Sequence, residues 1–84
     1  MLEARLLTKN EVIGIVKSAL EVAAVDENSS SETISEWDSL GHLSILTALD
    51  GATNGAVSDL TDLAKAYSVK AILALLDSKS LLSK

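Results

Sequence analysis

Aliphatic side chains that recur every three or four residues are the feature that most restricts how this chain can fold. After Thr8 they form one stripe of a helix, made of Val12, Ile13, Val16, Ala19, Leu20 and Ala23. The chain contains no proline, so no helix is interrupted by a proline ring. We therefore predict an all-α fold with no strands.

Capping residues place the first two predicted helices. Thr8 and Glu11 have the spacing of a capping box, in which each side chain satisfies a free amide at a helix start. The first helix is therefore expected to run from about Lys9 to Ala23. The second is expected to begin at Asp38 or Ser39 and to reach about Leu49, with Gly51 as its stop.

Two further helices are predicted in the last third of the chain. Ser58 is expected to cap a short third helix over 58–64, and Ser68 is expected to cap a fourth. The inward stripe of the fourth helix is Val69, Ile72, Leu73 and Leu76. Three main helices and one short helix would then enclose a single aliphatic core. Whether Leu2, Leu6 and Leu7 extend the first helix or form a separate apolar turn is left open.

A long loop is predicted between the first two main helices. Over 25–38 the helical periodicity is absent, and short polar side chains that favour turns are frequent. Ile34 and Trp37 are the expected anchors of this loop, because their large apolar side chains would be buried against the helices.

Length and composition limit the classes of function. The chain has 84 residues, a net charge of −5 and no cysteine, so we expect one domain spanning 1–84 without disulfides or a thiolate nucleophile. No apolar run is long enough to cross a bilayer, and no leader is evident, so a cytoplasmic monomer is expected.

The charge is arranged unevenly along the sequence. Between Ser18 and Ala64 the chain carries nine acidic residues and neither lysine nor arginine. Such a segment repels nucleic acid and attracts a protein with a basic patch. Acidity that serves solubility alone is the simpler alternative.

The residues offer little apparatus for catalysis. Ser39 and His42 would share a helix face, but a third group and an oxyanion hole are not evident. A single histidine does not make a metal site, and the acids lack the spacing of a calcium loop. We therefore predict that the chain is not an enzyme and holds no metal. His42 is expected to be exposed.

Ser39 is the residue whose position suggests a function. A serine at a helix start is accessible to a partner enzyme, and a phosphate ester there would lie near free backbone amides. The simpler interpretation is that Asp38 or Ser39 only caps the helix.

The whole arrangement resembles the acyl carrier protein family, including its peptidyl and aminoacyl carriers. The resemblance rests on the length, the acidity, the long first loop, Asp38-Ser39-Leu40 at the head of the second main helix, and the Ser68 helix start. It implies a four-helix bundle in which Ser39 carries 4′-phosphopantetheine from coenzyme A, with Asp38 and Leu40 beside it. The arm would hold acyl or aminoacyl groups as thioesters, and Asp38 would help the transferase to position its metal ion.

The resemblance also implies partner enzymes. These are a phosphopantetheinyl transferase, a loading ligase or acyltransferase, and synthases that use the thioester. Docking is expected around the residues that follow Ser39, namely Gly41, His42, Leu43, Ser44, Thr47 and Asp50.

Two of these residues distinguish the chain from carriers of primary fatty-acid synthesis. Gly41 and Ser44 stand where those carriers typically have acidic residues, which suggests a specialised standalone carrier. A glycine inside a helix start costs up to about 1 kcal/mol, which suggests either close approach by a partner or the arm, or simple tolerance near a helix end. Leu43 could serve in docking or in the core.

A second class of function stays open. The chain could be a small acidic helical adaptor that binds a basic protein surface and is never modified.

Overall fold

A computed structural model of the protein describes residues 6–83. It contains three α-helices, α1 (Lys9–Leu20), α2 (Ser39–Ala52) and α3 (Val69–Ser78), and two short 3-10 segments, Ala56–Asp59 and Thr61–Lys65. Within residues 6–83 no β-strand is present, and only two isolated backbone bridges occur. The prediction of an all-α fold is therefore confirmed.

The predicted starts of α1 and α3 are confirmed together with their caps. The Glu11 amide donates to the Thr8 hydroxyl at 3.1 Å, and the Thr8 amide donates to the Glu11 carboxylate at 3.0 Å, which completes the capping box. At α3 the Ala71 amide donates to the Ser68 hydroxyl at 3.1 Å. These bonds satisfy amides that have no partner inside their own helix.

The predicted ends of α1 and α2 are wrong by about three residues each. α1 ends at Leu20 because Glu21 adopts a left-handed conformation, and the Val22 amide then reaches back to the Lys17 carbonyl at 3.3 Å. α2 continues through Gly51, and the left-handed residues that follow it are Asn54 and Gly55.

The predicted short third helix over 58–64 is also wrong in detail. The two 3-10 segments meet at Leu60, whose φ of −89° and ψ of 75° interrupt the helical path while its side chain is buried. Ser58 caps neither segment, because its hydroxyl donates to the Gly55 carbonyl at 2.9 Å.

One aliphatic core joins the helices. α1 packs chiefly on α2, and α3 packs on α1 and on the second 3-10 segment. Its fully buried side chains come from all three helices and from the N-terminal segment, and the largest are Leu7, Ile45, Leu49, Ile72 and Leu76.

The leucines before α1 do not form one unit. Leu7 lies outside the helix and forms a parallel bridge with the C-terminal segment, in which its amide donates to the Leu81 carbonyl at 3.0 Å. Leu6 is half-exposed, whereas Leu2 lies outside the described residues. Leu6 and Leu7 thus do not extend α1, and Leu7 forms a bridge rather than the apolar turn that was the other alternative.

The long loop is held at both of its predicted anchors. Trp37 is buried and Ile34 packs against the core. The loop backbone is also bonded to the start of α3, since the Ser31 amide donates to the Tyr67 carbonyl at 2.9 Å and the Val69 amide donates to the Ser29 carbonyl at 3.0 Å. These contacts fix the chain just before α2 begins.

Candidate functional site

The start of α2 is capped by Asp38. Its backbone is extended, and its Oδ1 accepts a hydrogen bond from the Gly41 amide at 2.9 Å. Ser39 is the first residue of α2, and its side chain is exposed. Of the two predicted caps, Asp38 therefore has the capping role, which leaves the Ser39 hydroxyl at the surface.

Gly41 allows the loop backbone to approach α2 closely. A β-carbon at this position would collide with the carbonyl oxygen of Glu36 and would lie 2.7 Å from Cδ2 of Leu20. The close approach that the sequence suggested is therefore made by the chain itself, from the loop and from α1. Gly41 is thus required by the packing that sets the position of the α2 start.

The prediction that His42 is exposed is wrong, because only 3% of its surface is accessible. Its Nδ1 accepts a hydrogen bond from Nε1 of Trp37 at 3.0 Å, and its Nε2 lies 2.8 Å from the Leu63 carbonyl oxygen. Since the indole can only donate and the carbonyl can only accept, the proton of the imidazole is on Nε2. The ring also stacks on Tyr67 with centroids 4.2 Å apart.

The contacts of His42 exclude a catalytic pair with Ser39 and give the imidazole a structural role. Both ring nitrogens have partners other than Ser39, so the structure does not bring the two together as a nucleophile and its base. The imidazole instead links the loop, α2 and the second 3-10 segment. A single histidine five residues after a tryptophan was the available signal, but the sequence does not show that both side chains turn inward.

Apolar and small side chains form the solvent-facing side of α2, which we call the outward face. Leu40 is 75% exposed and Leu43 is 59% exposed, so Leu43 is not a core residue. The outward face consists of Leu40, Leu43, Ser44, Thr47 and Ala48. The predicted docking residues Leu43, Ser44 and Thr47 thus lie together, whereas His42 is buried behind them.

A groove of about 420 Å³ lies between α2 and the two 3-10 segments, and we call it the α2 groove. Apolar side chains dominate its walls, with hydroxyl groups and one carboxylate among them. Its lining residues are Leu46, Thr47, Asp50, Val57, Ser58, Leu60, Thr61, Leu63 and Ala64. Leu60, which separates the two 3-10 segments, is one of these lining residues, and the sequence did not predict that break.

The charges near the α2 start are acidic. Asp38 directly precedes Ser39, Glu36 lies three residues before it, and exposed Asp50 lies near the other end of α2. Glu27 in the loop is paired with Lys9 at 3.2 Å, but both side chains are about half exposed, so the pair adds little to stability.

Within residues 6–83, no group of three or more histidine or acidic side chains lies close enough together to hold a metal ion. In the same part of the chain no helix is long and apolar enough to span a bilayer.

No protein-family model matches this chain, and no curated protein or solved structure is significantly similar to it.

Proposed function

We propose that this protein is a carrier that holds acyl or aminoacyl groups on a phosphopantetheine arm attached to Ser39. The observation that supports this proposal most directly is the division of roles between two adjacent residues. Asp38 caps α2, while Ser39 at the first helical position exposes a hydroxyl that the cap does not use. The resemblance to acyl carrier proteins supplies the chemistry that such a serine would undergo.

The start of α2 suits a phosphate ester on Ser39. The amides of Ser39 and Leu40 lie in the first turn, where a helix offers them no carbonyl acceptor. Those amides and the positive end of the helix dipole would stabilise the negative charge of the ester. The acids at Glu36 and Asp38 oppose this charge, so the ester oxygens are expected to face the amides.

The modification is a transfer from coenzyme A. The Ser39 hydroxyl oxygen would form a bond to the phosphorus nearest the pantetheine, the pyrophosphate bond would break, and adenosine 3′,5′-bisphosphate would leave. The serine proton would pass to a base of the transferase. The bound arm supplies a terminal thiol that can carry a thioester, whereas the chain itself has no cysteine.

The α2 groove is the proposed resting place for the carried group. Leu46 lies seven residues after Ser39, which is two helical turns along the same side of α2. The groove therefore begins on the side of α2 from which the arm would leave. Its apolar walls suit an aliphatic group, and Thr47, Ser58 and Thr61 offer hydroxyls to a polar one.

The partner enzymes in this proposal are a transferase, a loading ligase or acyltransferase, and synthases that use the thioester. In the chain order, the two 3-10 segments lie between α2 and α3, where the resemblance implies a short third helix. Exposed Ser44 continues to favour a specialised carrier over one of primary fatty-acid synthesis, whereas Gly41 faces Glu36 and Leu20 within the chain.

The test is modification of Ser39 in the purified apo protein. Incubation with coenzyme A and a broad-specificity phosphopantetheinyl transferase should add one phosphopantetheine, detected by intact mass. Ser39→Ala should abolish the gain and should unfold at nearly the same urea concentration as the wild type, because Asp38 provides the cap.

A matched control is Ser35→Ala, which removes an exposed serine of the adjacent loop and should be modified like the wild type. The proposal fails if the wild type gains no mass, or if Ser39→Ala still gains it. In the first case the unmodified acidic adaptor becomes the better interpretation.

A further inference from the structure

One carboxylate lies among the apolar walls of the α2 groove, that of Asp50. Asp50 stands in the last turn of α2, where a negative charge meets the negative end of the helix dipole and is unfavourable. Within residues 6–83 its carboxylate forms neither an ion pair nor a hydrogen bond. The stability of the helix therefore does not account for this charge, which is available to a group bound in the groove.

A second hydrogen-bond acceptor borders the same part of the groove. The Ser58 hydroxyl donates its only hydrogen to the Gly55 carbonyl at 2.9 Å, so it can only accept a bond from a bound group. Asp50 also adjoins Gly55, since its Oδ1 lies 4.0 Å from the place of a β-carbon on that glycine. Two side chains that can only accept hydrogen bonds thus line the groove next to Gly55.

The lining of the groove includes no side chain that can only donate. Its other polar side chains are the hydroxyls of Thr47 and Thr61, which can donate or accept. All lining residues come from 46–64, a stretch with three acidic residues and no lysine or arginine. Lys65, which follows directly, does not line the groove. The potential in the groove is therefore negative, which attracts an ammonium group and repels a carboxylate.

Asp50 lies within reach of an arm on Ser39. Leu46 and Asp50 follow Ser39 by seven and eleven residues, close to two and three helical turns, so all three lie on one side of α2. Ser39 and Asp50 are about 16 Å apart along the helix, at a rise of about 1.5 Å per residue. A phosphopantetheine arm has about fourteen bonds between the serine oxygen and its sulfur, as many as four to five residues of chain, and spans about 16 Å when extended. A group carried at its end can therefore contact Asp50.

We infer that the α2 groove selects α-aminoacyl groups, and that Asp50 is the residue that makes this selection. The inference rests on the proposed function and decides between its two classes of carried group, acyl and aminoacyl. The α-ammonium group has three N–H donors, which match the Asp50 carboxylate and the Ser58 hydroxyl. A neutral acyl group offers these acceptors no donor, and an acyl group with a free carboxylate is repelled by Asp50.

The experiment compares three carried groups that differ only in one substituent of the α-carbon. Alanyl has an ammonium group there, isobutyryl has a methyl group and methylmalonyl has a carboxylate. Each is loaded on Ser39 by the same transferase from a coenzyme A analogue with an amide in place of the thioester, which prevents hydrolysis. The amide chemical shifts of Gly55 and Ser58 in the ¹⁵N-labelled protein are then compared with those of the protein that carries the bare arm. The measurement is made at about pH 6.5, where an α-amino group is protonated.

Alanyl is expected to shift the Gly55 and Ser58 amides about two- to fivefold more than isobutyryl, the range that a partly exposed pair of opposite charges supports. Methylmalonyl should shift them less than isobutyryl does, because its carboxylate is repelled. At about 1 M salt, where the Debye length is about 3 Å, the difference between alanyl and isobutyryl should become smaller.

Two variants test the role of Asp50. Asp50→Asn removes the charge and keeps the shape of the side chain, so alanyl and isobutyryl should then give nearly equal shifts. Glu32→Gln is the matched control, because Glu32 is an exposed acid of the long loop that does not line the groove, and the larger effect of alanyl should persist. Circular dichroism should show that both variants fold, as both side chains are exposed.

The failure of this inference can be distinguished from the failure of the proposed function. If Ser39 is loaded but alanyl and isobutyryl give equal shifts in the wild type, the groove does not select aminoacyl groups, while the carrier function stands. A preference for alanyl that persists in Asp50→Asn, or that is lost in Glu32→Gln, would show that Asp50 does not make the selection and would overturn the inference. If no analogue is transferred to Ser39, the proposed function fails and this inference fails with it.

Discussion

At the scale of single residues, His42 is the clearest difference between prediction and structure, because it was expected to be exposed and is buried. The imidazole is buried between Trp37 and Tyr67, and its two nitrogens bond to the Trp37 indole and the Leu63 carbonyl. A buried polar side chain is tolerated when each of its polar atoms has a partner, as here. His42 therefore stabilises the region behind Ser39 without contributing to the exposed surface.

His42→Leu is expected to lower the free energy of unfolding by about 1–3 kcal/mol, measured by urea denaturation. The leucine would keep an apolar volume but would leave the Trp37 Nε1 donor and the Leu63 acceptor without their partner. Tyr67→Phe is the control, because it retains the stacked ring, and it should change stability by less than about 0.5 kcal/mol. If His42→Leu left the free energy of unfolding unchanged, the two hydrogen bonds would have been replaced by others.

At the scale of elements, the starts of helices were easier to predict than their ends. Thr8 and Ser68 mark the starts of α1 and α3 because a capping side chain bonds to an amide only two or three residues away. The ends depend on which residue adopts the left-handed conformation, and at Glu21 and Asn54 that residue is not glycine. Local sequence does not determine this choice, since packing of the following segment contributes to it.

The two glycines of α2 provide a prediction about how this helix is packed. Gly41→Ala should destabilise the protein by about 1–3 kcal/mol, because its β-carbon would overlap the Glu36 carbonyl and crowd Leu20. Gly51→Ala has open space around its β-carbon and should be neutral or stabilising by up to about 1 kcal/mol. Urea denaturation of both variants measures the two changes in the free energy of unfolding. Equal changes in the same direction would contradict the prediction.

At the scale of the whole molecule, the core depends on segments outside the helices. Leu7 is fully buried and is bonded through its backbone to the segment after α3, since the Ser83 amide donates to the Leu7 carbonyl at 2.7 Å and the Leu7 amide donates to Leu81. The two ends of the described chain therefore close one side of the core together.

Leu7→Ala is expected to reduce the free energy of unfolding by about 2–5 kcal/mol, the range for removing a fully buried leucine. Leu6→Ala should change it by less than about 1 kcal/mol, as its side chain is half-exposed. Thermal or urea unfolding of this adjacent pair tests whether the N-terminal segment belongs to the cooperative core. Similar effects of the two substitutions would show that it does not.

The sequence was sufficient for the fold class and for several parts of the candidate site. The helical spacing predicted the all-α fold, and the motif around Ser39 placed Asp38 at the helix start and Leu43 near Ser39. Contacts between distant segments were not predictable, because the Tyr67 stack and the Leu63 acceptor come from residues more than twenty positions after His42. The α2 groove was not predicted for the same reason, since its walls come from α2 and from both 3-10 segments.

The contact between Trp37 and His42 has an optical consequence. Trp37 is the only tryptophan of the chain, and it lies two residues before Ser39 with its indole bonded to the first turns of α2. Its fluorescence is therefore an intrinsic reporter, without any added label, of the local environment behind the proposed attachment point. Changes in emission would follow events at that end of the molecule separately from the global helix content.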